Sequence, residues 1–119
     1  MKMIQIVNAL PALKKLAKQD MSVKTLYKIE KVLSKCDDEM AFYNDQYSKI
    51  VRKYSDVVGD RYVPRDENVD RLNTEINELL DTDVECEIQE VVISINEDIK
   101  LSYNDLVMLR GFARIEGED

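Results

Sequence analysis

SVKTLYKIEKVLSKCDDEMAFYNDQYSKIVRKYSD, running from Ser22 to Asp56, decides how the rest of the chain must be arranged. Apolar or aromatic residues fall in it at Leu26, Ile29, Leu33, Cys36, Met40, Tyr43, Tyr47, Ile50 and Tyr54. The steps between them alternate three, four, three, four without a slip, which is the heptad spacing of a helical seam. No Gly or Pro interrupts the run. The pattern predicts one continuous helix ~52 Å long. A compact domain of this chain length has a radius of gyration of only about 13 to 14 Å. Such a helix needs cover along its length, so the seam is read as core or as oligomer contact.

Toward the N-terminus, Asn8 is placed to cap a first helix, with Pro11 in the opening turn where its missing N–H costs little. Met3 to Val7 reads as a short strand or as the lead-in to that helix. Leu10, Leu13, Leu16 and Ala17 form an apolar stripe with Lys14, Lys15 and Lys18 on the other side. The stripe breaks at Gln19 to Met21, and Ser22 caps the long helix, so residues 8–56 are expected as a helical hairpin.

Toward the C-terminus, Gly59 suits a left-handed end to the long helix. Pro64 forces Val63 out of the helical region. A third helix is expected over 67–81, capped by Asp66 or Asn68. Its seam of Val69, Leu72, Ile76 and Leu79 matches the C-terminal part of the long helix. From Val84 the period changes to two: Val84, Cys86 and Ile88 alternate with polar residues, and the phase then flips to Val91, Ile93 and Ile95. Residues 84–101 are therefore expected as a β ribbon, either one bulged strand or two, with a turn at Asn96-Glu97-Asp98 and a return at Ile99 to Leu101. Pairing with Met3 to Val7, with Tyr62–Val63 or with another subunit would complete a sheet. A last helix is expected over 102–115, opened by a capping box from Ser102 to Asp105 and presenting Leu106, Leu109 and Phe112 on one face. Gly117 to Asp119 reads as a tail. The expected architecture is a single domain, 1–119, of α+β class and mainly α. Its long central helix lies in a helical-hairpin arrangement, with a C-terminal β-hairpin or ribbon and a short last helix.

Composition narrows the chemistry. The 119 residues contain no histidine, which removes histidine nucleophile pairs, histidine general bases and histidine metal ligands. Two cysteines cannot make a four-ligand zinc site, and both sit in periodic apolar patterns, so each is read as a buried thiol. Gly59, Gly111 and Gly117 stand alone, without a phosphate loop. Asp37-Asp38-Glu39 fans over about 200° of helix azimuth and makes a poor metal cage. No catalytic residue, metal ligand or cofactor is assigned, and the chain is read as a non-enzyme. No apolar run approaches the ~18 residues of a membrane span, and Met1 to Gln5 does not read as a signal peptide.

The net charge of −7 is unevenly spread. Residues 1–60 carry 11 Lys/Arg against 8 Asp/Glu, and residues 61–119 carry 6 against 16. The basic half is rich in lysine, with no Arg before Arg52. Arg is the better reader of phosphate and base edges, so nucleic acid is disfavoured as a partner. Arg61 and Tyr62, between a Gly and a Pro on an expected loop, are the candidate ligand-binding residues.

The order of several segments resembles a family of small proteins encoded by phages and prophages of low-GC Gram-positive bacteria, the DUF1617-like phage proteins. The matching pieces are Leu10-Pro-Ala-Leu-Lys-Lys-Leu16, Val23-Lys-Thr-Leu-Tyr-Lys-Ile29, Asn73-Thr-Glu-Ile-Asn-Glu-Leu-Leu80 with the β-like Val84 to Ile88, and Ile99-Lys-Leu-Ser-Tyr-Asn-Asp-Leu106. The resemblance implies a viral or prophage origin and a place in the host cytoplasm or the virion. It supplies no catalytic motif. The expected function is that of a non-enzymatic accessory protein that self-associates, in virion assembly or as a late-gene factor. The alternative is an inhibitor of a bacterial defence system, binding a host protein or sequestering a signalling nucleotide. Self-association as a homodimer or higher oligomer is expected because the first and third helices reach only the ends of the long one. Cys36, Met40 and Tyr43 lie between those reaches. A second copy would cover them, or the C-terminal segment would fold back over them.

Overall fold

Ser22 ends the approach to the long helix as its side chain requires: its Oγ accepts the Thr25 N–H at 3.3 Å. The helix it caps, α2 (Val23–Lys53), runs 31 residues without a break. The computed structural model describes residues 1–117, so Glu118 and Asp119 of the expected tail lie outside the described residues. Before α2 lies α1 (Met3–Ala17). After it come a hairpin of β1 (Ser55–Val58) and β2 (Arg61–Pro64), a 3-10 turn at Asp66–Asn68, and α3 (Val69–Leu80). The chain closes with β3 (Val91–Ser94), α4 (Tyr103–Met108) and β4 (Ala113–Glu116). The architecture is mainly α with small β elements, built around the long helix.

The first helix starts earlier than Asn8. Met3, Ile6, Ala9, Leu10, Leu13 and Leu16 form one buried stripe, so Met3 to Val7 is helix and not strand. The apolar period was continuous back to Met3, and burial of that face outweighs the Asn8 cap. The Lys2 backbone N–H donates to Gln5 Oε1 at 2.7 Å instead. Pro11 therefore stands inside the helix, on its exposed side. The N-terminus is tied to the chain after α3, where Met3 N–H donates to the Thr82 carbonyl and Val84 N–H to the Met1 carbonyl, each at 2.9 Å.

The long helix ends at Lys53 and not near Asp56, because Gly59 has a different task. Gly59, at φ +64°, is the first residue of a two-residue turn, with Val58 opposite Arg61. A positive φ at the first turn position matches the right-handed twist of paired strands and favours Gly there. The β-branched Val57, Val58 and Val63 supply strand propensity on either side. Arg61 and Tyr62 consequently sit on a strand, not a loop.

The C-terminal third differs in topology from the expected ribbon. Residues 84–90 form no regular strand, and Ile99 to Leu101 does not return along β3. β3 instead pairs in parallel with β4, from Val91 opposite Ala113 to Ser94 opposite Glu116. A parallel pair needs a crossover, and the chain between the strands supplies it with α4. The last helix stops at Met108 because the chain turns at Gly111, φ +87°. There the Leu109 carbonyl accepts the Phe112 N–H at 2.8 Å and the Ala113 N–H at 3.0 Å. The capping box is present: Ser102 Oγ accepts the Asp105 N–H at 3.1 Å, and Asp105 Oδ2 accepts the Ser102 N–H at 3.0 Å.

The core lies toward one end of the molecule. Ile6, Leu13 and Leu16 of α1, Ile29, Leu33 and Cys36 of α2, and Val91, Ile93, Leu109 and Phe112 pack into one cluster. We call this end the head. The rest of α2 projects as an arm, with α3 along it and the β1–β2 hairpin at its tip. A Lys53–Glu75 ion pair at 2.9 Å crosses the two helices. The molecule measures 58 × 29 × 23 Å, and its radius of gyration is 17.6 Å.

Candidate interaction surfaces

The heptad seam divides between head and arm. Ile29, Leu33 and Cys36 are buried in the head. Leu26, Met40, Tyr43, Ile50 and Tyr54 are half-buried, and Tyr47 is 41% exposed. The C-terminal segment thus folds back onto the cluster that holds Cys36, and Met40 and Tyr43 stay partly open. α3 covers one flank of the arm, leaving a groove of about 460 Å³ between the helices, lined by Phe42, Gln46, Ile50, Lys53, Glu75 and Leu79. Phe42 is 50% exposed at its rim. Tyr43 and Tyr47 pack ring against ring, with centroids 5.8 Å apart. Burial pushes the Tyr43 hydroxyl above its ordinary pKa.

The hairpin at the tip is apolar and uncovered. Val57 is 67% exposed and Val58 60%, and Tyr62 and Val63 are exposed beside them. Arg61 and Tyr62 are neighbours on β2 and so point to opposite faces of the hairpin. The Arg52 guanidinium lies over the Tyr62 ring, 5.7 Å from its centroid, and accounts for that ring's electrostatic partner.

A second surface lies on the head, between α2 and β3. Tyr27, Lys28, Lys31, Val32 and Lys35 form one wall, and residues 89–92 form the other, around a cleft of about 480 Å³. Lys28, Lys31 and Lys35 stand at i, i+3 and i+7, which puts them on one helix face. Among the described residues none of the three forms an ion pair. Lys31 Nζ lies 4.8 Å from the Tyr27 ring centroid. Lys35 Nζ donates to the Glu87 carbonyl at 2.8 Å and pins the 84–90 segment to the helix. The one carboxylate of the lining, Glu90, is held at 3.1 Å by Arg114 of β4. The basic excess of this stretch was legible in the sequence. Its alignment beside a strand was not, because the strand arrives from sixty residues downstream.

Both cysteines are free thiols; Cys36 is buried as expected, whereas Cys86 is only half-buried, because residues 84–90 form no regular strand. Burial pushes the Cys36 thiol up to about 12 and also raises Cys86, so neither is poised as a thiolate at neutral pH. Among the described residues no group of three His, Cys, Asp or Glu side chains is disposed to hold a metal ion. No helix among them is long and apolar enough to cross a membrane.

Comparison with family models, with curated proteins and with solved structures found no match. The resemblance to phage proteins rests on the quoted segments alone.

Proposed function

We propose that this chain is a non-enzymatic phage or prophage accessory protein that self-associates through its arm, in virion assembly or as a late-gene factor. The observation that carries self-association is the number of large apolar side chains left exposed along the arm and its hairpin: Phe42, Tyr47, Val57, Val58, Tyr62 and Val63. Association costs an estimated 4 to 15 kcal/mol in lost freedom, and burying one large apolar side chain returns about 1.5 to 3 kcal/mol. A two-fold arrangement of arms counts every buried residue twice, so several such side chains offset that cost better than one or two would. The missing histidine and the raised thiols argue against nucleophilic chemistry. The phage assignment comes from the segment resemblance, as does the location in the host cytoplasm or the virion.

A second reading draws on the basic cleft of the head: an inhibitor of a bacterial defence system that binds a host protein or a signalling nucleotide.

Sedimentation equilibrium tests the first reading. The wild-type chain should sediment at a multiple of its 13.8 kDa mass. A Phe42→Asp/Tyr47→Asp variant, changed only at exposed positions, should return to one chain while keeping its helical circular dichroism. A single 13.8 kDa species for the wild type at high micromolar concentration would overturn the proposal.

A further inference from the structure

We propose that the cleft between α2 and β3 takes an extended acidic segment of a partner protein, which adds as a strand to the free edge of β3. Four features of the cleft converge on this occupant.

The first is the edge itself. Val91 N–H donates to the Phe112 carbonyl and Ile95 N–H to the Glu116 carbonyl, each at 2.9 Å. In a parallel ladder this alternation directs the backbone groups of Val91, Ile93 and Ile95 toward β4 and those of Val92 away from it. Among the described residues the Val92 N–H and carbonyl meet no protein partner. An unpaired edge of this kind is a template for another strand. The second feature is the opposite wall, where Lys28, Lys31 and Lys35 lie in a row along α2 and none forms an ion pair among the described residues, Lys35 being held by the Glu87 carbonyl and Lys28 and Lys31 having no oxygen partner. The third is the removal of Glu90, whose carboxylate is turned to Arg114 and does not neutralise the row. The fourth is the apolar content between the two walls, Val32 and Val91 beneath and Val92 at the rim. An incoming strand alternates its side chains, so acidic residues at every second position would face the lysines of α2 while the others project on the outer, Val92 face of β3.

The same chemistry argues for a strand over a nucleotide. Lys31 already caps the Tyr27 ring that would serve as a stacking platform, and the cleft has no Arg fork for phosphate. The surface is separate from the arm, so this proposal stands or falls apart from self-association.

The test uses the full chain and a fluorescent, end-capped peptide of alternating Glu and Val, followed by anisotropy at low salt. The peptide should bind, and a Lys28→Glu/Lys31→Glu variant should bind about tenfold or more weakly. Both lysines are exposed, so the fold should persist. Val92→Pro removes the outward N–H while leaving the Val91 and Ile93 bonds to β4, and edge strands tolerate proline. It should abolish binding, as should N-methylation of the peptide's alternate amides. The arm variant Phe42→Asp/Tyr47→Asp should bind the peptide like the wild type. Absence of binding, equal binding of the N-methylated peptide or of Val92→Pro, or displacement by a mononucleotide or oligonucleotide that binds more tightly with the same lysine dependence would each overturn the proposal.

Discussion

Asp105 ties α1 to the start of α4 through one carboxylate oxygen. Its Oδ2 accepts from Lys15 Nζ at 2.7 Å, joining α4 to α1, and from the Ser102 N–H that opens α4. The Lys15 hydrogen bond first, and the Ser102 backbone bond second, hold its pKa below the ordinary 3.8. A depressed carboxylate favours the folded state fully above its unfolded pKa, and that contribution is lost as the pH falls through the lower folded value. Asp105→Asn should therefore melt at a lower temperature than the wild type at neutral pH, and the gap should close below about pH 4. Thermal melts across a pH series check this; a gap constant down to acid pH would show that the carboxylate's charge is not what matters. The capping box behind this prediction was legible in Ser102 and Asp105 alone. The Lys15 contact was not, because nothing local links positions ninety residues apart. Cys36 shows the complementary case. Its place on the seam was enough to foresee a buried thiol, whereas the cluster around it draws on both α1 and the far end of the chain.

At the level of elements, the long stretches with a sustained period were read correctly and the short ones gave way to turn chemistry. α2 and α3 followed their seams to within a few residues. The stretch Val57-Val58-Gly59-Asp60-Arg61-Tyr62-Val63 held a hairpin signal in its Gly-Asp pair between β-branched runs. Reading Gly59 as a helix end concealed it. Gly111 likewise ends α4, and what looked like one helical face becomes two environments. Leu109 and Phe112 are buried, whereas Leu106 is 40% exposed. This separates the two topologies by experiment. Phe112→Ala should cost about 3 to 5 kcal/mol, as expected for a large side chain removed from a core. Leu106→Ala should cost less than about 1.5 kcal/mol. Urea denaturation of both variants gives the comparison, and equal costs would favour one continuous C-terminal helix. The parallel pairing of β3 and β4 was beyond local reading for a physical reason: alternation fixes which face of a strand is buried, but not which distant strand it meets or in which direction.

For the whole molecule, length was the informative quantity. A 31-residue helix in a chain this small has to project, and the radius of gyration of 17.6 Å exceeds the compact value of about 13 to 14 Å accordingly. The two halves of that helix have unequal support. The head half is packed by α1, β3 and the segment around Phe112. The arm half has α3 on one flank only, with Phe42 and Tyr47 open. Local opening free energy follows buried apolar contact, so amides of residues 40–53 should exchange faster than those of 26–37 in dilute protein. Raising the concentration should then change the two halves differently if the arms associate. Binding that favours the closed state slows exchange by mass action, and the slowing should fall on residues 40–63 by about tenfold or more while the head is unchanged. Hydrogen exchange read by mass spectrometry at two concentrations resolves these peptides. Arm exchange that does not depend on concentration, or protection that develops on the head instead, would place any contact between copies elsewhere and leave the apolar hairpin of Val57, Val58, Tyr62 and Val63 to a different partner.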